Sequence, residues 1–279
     1  MKKILIIIFV LSISQAMGQV NRRAGNPFMR SQWYLGFFGG VNFTKSTPDQ
    51  IFTVLSQLQS QQTGTVKEHS GYTQMGAQAG LVFQYSSNGF NIAIKPGIHS
   101  VNIQHTSASQ WIDSSNPDNF VEVMYTHDTR LNYFEFPLSF HYDILKGNIR
   151  PYVGLGAYYG ILINASRTIG RSGSDTASGG QGSFTDQPST IGVKEQYISS
   201  SVGIFGHLGA SYDPGNIRLF VDMGYKHGLN NITNTANRYN NNELASIGEA
   251  MDDIRLENIY VNLGVVFPLK FISKNYNAF

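Results

Sequence analysis

The dominant pattern along the chain is strict alternation of apolar and polar residues, repeated in separate segments. Alternation with a period of two places apolar side chains on one face of a β-strand. We count eight such segments, which predict an all-β fold. They lie at 32–43, 71–85, 90–103, a segment ending at 142, 149–163, 202–212, 217–225 and 259–267.

The connections between these segments alternate in length. Tight turns are predicted at 86–89, around 146–148 and at 213–216, where Gly, Asn, Pro and Asp are typical turn residues. The long connections lie at 44–70, 104–120, 165–192 and 231–253. This layout predicts an eight-stranded antiparallel transmembrane β-barrel with long extracellular loops and short periplasmic turns.

Two local features modify this pattern. Pro96 and an apparent change of phase near Ser100 predict a β-bulge in the third strand. The first long loop contains a predicted short helix, with Thr47 as N-cap, Pro48 in the first turn and helically spaced Ile51, Val54, Leu55 and Leu58.

A soluble β-sandwich or lipocalin-like barrel would also alternate, but its outer face would be charged. Here the polar face consists of Gly, Ser, Gln and a few single charges, too few to coat a surface that faces water. Aromatic residues on the apolar face gather at the short-turn end, where a membrane-interface girdle is expected. They are Trp33, Tyr85, Phe90, Tyr142, Tyr212 and Phe267. Both features favour the membrane barrel.

The N-terminus has the features of a signal peptide. Lys2 and Lys3 precede an apolar run at 4–11, and Ala16 and Gly18 supply the small residues that signal peptidase reads. We therefore predict a signal peptide at 1–18, a short periplasmic segment at 19–31, the barrel at 32–269 and a tail at 270–279. The predicted location is the cell outer membrane, with both termini periplasmic.

Composition and net charge argue against disulfide bonds and against nucleic-acid binding. The chain has no cysteine, so disulfides are excluded. Its 20 basic residues include Lys2 and Lys3, so the mature chain balances its 18 acidic residues and offers no basic surface for nucleic acid. We predict outer-membrane lipid as a partner, no nucleic acid and no cofactor.

Three motifs resemble the PorT-like outer-membrane β-barrels of Bacteroidota-type bacteria. They are the runs 133–138 (YFEFPL), 150–156 (RPYVGLG) and 220–225 (FVDMGY). The resemblance covers most of the chain from Trp33 to Leu269. It implies the barrel fold and, for members that carry the PorT name, an association with type IX protein secretion.

The last predicted strand also resembles the C-terminal signal that outer-membrane assembly machinery recognises. The matching residues are Asn262, Gly264, Phe267 and Leu269. Ten residues follow them, whereas the signal usually ends a chain. The resemblance implies the assembly machinery as a partner.

The interior of an eight-stranded barrel is just wide enough for side chains to fill. Pairing the hairpins through their turns matches Tyr85 with Phe90, Tyr142 with Ile149 and Tyr212 with Ile217. These registers place Lys95 opposite Gly80, His99 opposite Gly76, Glu135 opposite Gly156, Lys226 opposite Gly203, Phe220 opposite Gly209 and His207 opposite Asp222. We therefore predict that glycines admit long polar side chains, whose buried charges must pair. The predicted plugging network is Lys95, His99, Glu135, His207, Arg218, Asp222 and Lys226.

Catalytic and metal-binding interpretations are weaker. His207 beside Asp222 would orient a base for Ser201 or Ser211, but such pairs arise by chance among seven histidines and many serines. His99 with His105, or His127 with Asp128, lacks the compact ligand spacing of a metal site. We predict no catalytic and no metal site.

Three functional hypotheses follow. The first is a non-enzymatic structural or assembly barrel that engages partner proteins, such as those of a secretion system. The second is a surface-loop adhesin or ligand-binding barrel. The third is a membrane-embedded lipid-modifying enzyme that uses His207 and Asp222.

Overall fold

The fold is described from a computed structural model. It covers residues 31–52, 63–177, 182–239 and 250–270. The predicted signal peptide, nearly all of the predicted periplasmic segment and most of the predicted tail lie outside the described residues. So do Val54, Leu55 and Leu58 of the predicted helix.

The described chain is almost entirely β-strand. The strands are β1 Gln32–Gln50, β2 Thr63–His69, β3 Gln74–Ser87, β4 Phe90–Ile94, β5 Gly97–Ile112, β6 Phe120–Asp143, β7 Ile149–Asp175, β8 Gly182–Thr185, β9 Ser189–Gly192, β10 Ser200–Tyr212, β11 Arg218–Gly228 and β12 Asp253–Pro268. Two 3-10 turns occur at Lys194–Gln196 and Thr235–Asn237. Among the described residues, no helix has the length and apolar character needed to cross a membrane.

The strands close into a ring of eight, with β4 and β5 acting as one strand. Around the ring the antiparallel pairs follow the order β1, β3, β4–β5, β6, β7, β10, β11 and β12, and β1 pairs with β12 to close the barrel. Closure leaves the barrel wall no free edge. The predicted eight-stranded antiparallel barrel is therefore confirmed.

Side chains on the barrel wall face as the alternation predicts. The apolar residues of β1 point outward, with Trp33 and Phe37 each 57% exposed, whereas Tyr34 between them is 1% exposed. At the short-turn end the exposed aromatics pair across strands, with ring centroids 5.0 Å apart for Trp33 and Tyr85 and 4.8 Å for Phe90 and Tyr142. These outward rings form the expected interfacial girdle.

Much of the predicted loop length is strand. β6 has 24 residues and β7 has 27, and within 104–120 the two strands β5 and β6 are joined only by residues 113–119. β2 adds to β5, and β8 and β9 add to β7. The predicted start of a helix is wrong, because Thr47 and Pro48 belong to β1 and pair with Arg255 and Ile254 of β12. Cross-strand pairing overrides the local capping signal.

The barrel wall changes character along its length. In the membrane half, which we define as the part nearer the short turns, most inward side chains are polar or charged, and Tyr34, Phe38, Val82, Phe220 and Val266 form a small apolar cluster among them. In the projecting half, at the long-loop end, the inner face contains an apolar core beside buried polar groups such as His127: Val101, Ile103 and Leu131 are at most 5% exposed. These residues belong to one buried cluster with Leu162, Met251 and Ile254.

This change explains a wrong prediction near Ser100. The structure has no bulge there: Phe83 pairs with Ile94 and Gly80 with Gly97, so one register continues across Pro96. The inward positions simply become apolar at Val101, which imitates a phase shift in the sequence. A register irregularity does occur between Asn132 and Tyr133, where β6 meets β7.

The predicted hairpin registers are also wrong. Phe90 pairs with Ser87 instead of Tyr85, because the turn has only two residues, Asn88 and Gly89, both with positive φ (52° and 87°). Such a turn matches the twist of a hairpin. Tyr142 pairs with Val153 instead of Ile149, and Tyr212 pairs with Leu219 instead of Ile217.

Candidate functional site

The lumen of the membrane half contains two adjoining ion clusters. In the first, Lys226 Nζ lies 2.5 Å from Glu135 Oε2, and His99 Nδ1 lies 3.3 Å from the same oxygen. In the second, Lys95 pairs with Asp222, and the side-chain amide of Asn262 donates to Asp222 Oδ1 at 2.9 Å. Each of these lysines is therefore in direct contact with a carboxylate.

A third cluster closes the short-turn end, and the sequence did not reveal it. Arg218 Nε lies 2.9 Å from Asp213 Oδ1, and Arg150 pairs with the other oxygen of Asp213. Arg150 Nε also lies 3.5 Å from Asp143 Oδ2. Only Arg218 was predicted. The alternation places Arg150 and Asp143 on the inward face, but Asp213 lies in the predicted turn at 213–216.

Together the three clusters contain four cationic side chains and four carboxylates. The cations are Lys95, Arg150, Arg218 and Lys226; the carboxylates are Asp143, Asp213, Asp222 and Glu135. A buried charge is costly in a low-dielectric interior unless it is paired. The equal numbers of cations and carboxylates allow each buried charge here to be paired.

Inward glycines mainly receive aromatic rings. A Cβ added at Gly156 would lie 2.5 Å from Cζ of Phe205, and one at Gly264 would lie 2.3 Å from Cζ of Phe220. The same holds for Gly203 with Tyr158, Gly209 with Tyr152 and Gly224 with Tyr260. The inward glycines therefore leave room for aromatic rings to lie against the backbone, and these rings fill the space between the ion clusters.

The predicted glycine–charge pairs are wrong in detail, because the registers differ. Gly80 pairs with Gly97, and His99 pairs with Gln78. Lys226 pairs with Phe205, and Phe220 with Ser211. Glu135 still meets a glycine, but the partner is Gly160, where an added Cβ would lie 3.3 Å from Glu135 Cγ.

The structure does not form the predicted His207–Asp222 pair. His207 lies opposite Gly224, and Asp222 lies opposite Gly209. The His207 ring instead packs among His141, Tyr152 and Phe205. Neither His207 nitrogen nor the Ser211 hydroxyl has a hydrogen-bond partner among the described residues. No Ser–His–Asp relay is assembled from these residues.

Histidines in the projecting half also contact one another. The rings of His105 and His127 stack at 4.5 Å, and His69 stacks on His105 at 5.4 Å. His69 Nε2 lies 2.9 Å from Asp252 Oδ2. Within the described ranges, no group of three or more His, Asp or Glu side chains has an arrangement that could hold a metal ion.

Asp252 anchors the long-loop end of the barrel. Burial raises the pKa of its carboxyl, but hydrogen bonds from His69 and the Phe52 backbone, together with Lys67, outweigh burial, so that the net pKa lies below its ordinary value. The Phe52 N–H donates to Asp252 Oδ1 at 2.7 Å, and Lys67 Nζ lies 3.2 Å from that oxygen. This carboxylate ties the start of β12 to β2 and to the end of the described part of the first loop.

The residues that resemble an assembly signal divide between the two faces of β12. Asn262 and Gly264 face inward, in the second ion cluster and under Phe220 respectively. Phe267 and Leu269 are 44% and 64% exposed.

The family of the chain is established by its sequence. The family described as "Outer membrane protein beta-barrel domain" matches residues 16–234, so the chain belongs to this family and is an outer-membrane β-barrel protein. This match does not establish the PorT-like group that the motifs resemble. No curated protein matches the chain.

Solved structures that the chain matches include Neisserial surface protein A (NspA), with 13% identity, a TM-score of 0.32, and coverage of 84% of this chain and 96% of that one. Ail, the attachment invasion locus protein of Yersinia pestis, has 10% identity and a TM-score of 0.28, with 85% and 99% covered. The translocator domain of autotransporter NalP from Neisseria meningitidis has 10% identity and a TM-score of 0.25, with 95% of each chain covered.

Proposed function

We propose that this protein is a non-conducting, non-enzymatic outer-membrane barrel that presents its projecting half to a partner protein. The observation that carries the proposal is the filled lumen beneath long projecting strands. A transmembrane β-strand needs about 9–11 residues, whereas β6 and β7 have 24 and 27. More than half of each strand is therefore available outside the bilayer.

A closed lumen predicts negligible ion flow. In planar bilayers, the wild-type protein should give no stable single-channel steps, because ion pairs and aromatic rings occupy the membrane half. A steady, large conductance would contradict the proposal. The double variant Lys226→Ala/Glu135→Ala is the matched comparison, since it removes one ion pair and enlarges the interior while leaving the net charge unchanged.

The proposed orientation places the long-loop end outside the cell and both termini in the periplasm. The absence of cysteine makes single-cysteine labelling clean. A membrane-impermeant maleimide should label Ser115→Cys in intact cells, and should label Lys146→Cys only after the outer membrane is permeabilised. The reverse result would show an inverted barrel.

A partner-binding surface is proposed on the outer face of the projecting sheet. Val66, Ala108 and Met124 lie in one row across β2, β5 and β6, and Val66 and Met124 are 58% and 43% exposed. Exposed apolar side chains that neighbour each other beyond the bilayer are typical of protein contact sites. The PorT resemblance suggests a secretion-system component as the partner, and the adhesin alternative suggests a host or matrix protein.

Affinity purification from native membranes tests this surface. Wild type should retain a partner that Met124→Glu loses, whereas the exposed control Glu122→Gln should retain it. Recovery of secretion-system proteins favours the first hypothesis, and retention of purified host or matrix proteins favours the second. Equal recovery by Met124→Glu and wild type would reject the surface.

The enzyme alternative has less geometric support, because His207 and Asp222 do not pair. An assay for hydrolysis of uncharged lipids tests it directly. Activity that His207→Ala abolishes would overturn the non-enzymatic proposal.

A further inference from the structure

A polar groove crosses the outer wall of the barrel where the apolar surface ends. It has a volume of about 410 Å³ and is open to the outside. Its lining side chains come from neighbouring strands and include Gln74, Asn102, Asp128, Arg130, Ser166, Thr168 and Thr190. Apart from the oppositely charged Asp128 and Arg130, hydroxyl and amide groups dominate this set, so the groove offers many hydrogen-bond donors and acceptors in a small volume.

The strand geometry places the groove at the level of lipid headgroups. Arg130 lies about twelve residues along β6 from the girdle residue Tyr142, or about 40 Å of strand. At a tilt of about 40°, this is about 30 Å along the membrane normal, just beyond an apolar band of about 25 Å. On β5 and β7 the exposed apolar residues Ile98 and Ile163 lie on the membrane side of the groove.

The groove is partly organised by its own hydrogen bonds. Arg130 Nε donates to Asn102 Oδ1 at 3.2 Å, and Asn102 Nδ2 donates to the Met75 carbonyl at 2.7 Å. The hydroxyls of Thr168 and Thr190 lie 2.8 Å apart, where β9 folds back on β7. Because one nitrogen of Arg130 is already fixed by Asn102, its guanidinium is partly pre-positioned.

Arg130 differs from the other exposed arginines in the described part of the chain. Arg171 pairs with Asp186, and Arg255 pairs with Asp49. In the described ranges, Arg130 has no carboxylate within salt-bridge distance: Asp128 lines the same groove but accepts from Gln104 at 2.7 Å. A guanidinium that no carboxylate pairs with, set mainly among hydroxyls and amides, suits a phosphate attached to a sugar.

We infer that this groove binds the phosphorylated sugar headgroup of a glycolipid in the outer leaflet. The inference rests on the proposed orientation, in which the long-loop end faces outward. The sugar hydroxyls bond to the Ser, Thr, Asn and Gln side chains, Arg130 binds the phosphate, and the acyl chains lie against the apolar wall below. A glycolipid held there connects the projecting sheet to the membrane surface.

Nanodiscs provide the test. Wild-type protein is reconstituted in phosphatidylcholine discs that contain equal small amounts of lipid A and phosphatidylglycerol, and the lipids retained on release are counted by native mass spectrometry. We expect preferential retention of lipid A. Arg130→Gln should weaken lipid A retention about tenfold, which is the typical effect of losing one charge-assisted hydrogen bond.

Three controls make the result decisive. Arg171→Gln removes an exposed, paired arginine and should retain lipid A as wild type does. Thr190→Val tests the sugar contacts independently and should weaken lipid A retention about threefold. It replaces Arg130→Gln as the test if the arginine variant does not fold into a barrel, which is judged by the change in gel migration on heating. Glucosamine 1-phosphate in solution should displace lipid A if the headgroup alone is recognised; no displacement by millimolar amounts would show that the binding is specific to the membrane-bound lipid.

Equal retention of lipid A and phosphatidylglycerol by wild type would overturn the inference, as would unchanged lipid A retention in both groove variants. Lipid A is present in both leaflets of a nanodisc, so the result does not depend on orientation in cells. An inverted barrel in the cysteine-labelling experiment and a failure to bind lipid A are therefore separate outcomes.

Discussion

The membrane half and the projecting half of the same strands follow opposite rules. In the membrane half, Phe37 and Leu208 face outward with more than half of their surface exposed, while Asp222 is fully buried inside. In the projecting half, Val101 and Leu131 are buried inside, while Asp128 and Arg130 are exposed. The solvent outside decides the difference: lipid selects an apolar exterior, and water selects a polar one.

The two halves are consequently stabilised by different interactions. The membrane half has a polar interior that depends on pairing of charges, and removing one partner leaves a buried charge alone. The projecting half has an apolar core closed by side chains from the long loops, including Tyr197, Ile232 and Met251. Substitutions at equivalent inward positions should therefore act by different mechanisms in the two halves.

The largest effect is expected from Asp222→Ala in the membrane half. It leaves Lys95 without its carboxylate in a buried cluster, which typically costs about 3–5 kcal/mol. The free energy of unfolding can be measured by urea titration in phospholipid micelles. Asp186→Ala, which breaks an exposed pair with Arg171, should cost far less, because solvent screens an exposed ion pair. Similar losses in both variants would show that the lumen is well hydrated.

In the projecting half, Leu131→Ala should cost about 2–5 kcal/mol, because Leu131 is fully buried in the apolar core. The conservative variant Leu131→Met should cost less than about 1.5 kcal/mol. The loss should appear as faster proteolysis of the projecting half, while the membrane half still resists heat in gel-shift assays. A loss in both halves at once would show that the barrel unfolds as a single unit.

Substitution of an inward glycine should destabilise the protein by a smaller amount. Gly156→Ala places a Cβ 2.3 Å from the Leu138 carbonyl and 2.5 Å from the Phe205 ring, and such overpacking costs about 1–3 kcal/mol. The outward control is Gly206→Ala, whose new Cβ would be 4.0 Å from the nearest atom. It should be neutral or slightly stabilising. Equal destabilisation by both variants would refute the inward packing of Phe205.

The smallest effect is a pH dependence of the projecting half. Because the folded pKa of Asp252 lies below its ordinary value, the carboxylate contributes stability above the unfolded pKa of about 3.9. That contribution is lost as the pH falls through the folded pKa. The protection factors of amide hydrogens in β2 and in the first residues of β12, which compare the exchange rate with the intrinsic rate at the same pH, should therefore fall on acidification toward pH 3. Asp252→Asn should have lower protection at pH 7 and lose this acid dependence, and wild-type protection factors that did not fall would contradict the anchoring role.

The sequence alone determined the membrane half well. Its alternation predicted the number of strands in the ring, and it assigned residues such as Trp33 and Phe90 to the outer face correctly, because a period of two is independent of pairing partners. The polar face has too few charged residues to face water, and this identified lipid as the medium outside the barrel. Inward placement of Lys95, Glu135 and Lys226 followed from the same parity.

Only the tertiary structure decided how the strands align. One two-residue turn at Asn88 and Gly89 shifts a hairpin register by two residues, which preserves every facing but changes every neighbour. The β10–β11 hairpin is shifted in the same way, because Tyr212 pairs with Leu219, so His207 lies opposite Gly224 instead of its predicted partner, although its inward direction is as predicted. Val101 likewise looked out of phase until the projecting half showed an apolar interior. Strand parity is local and can be read from a sequence, whereas the register depends on how the whole barrel closes.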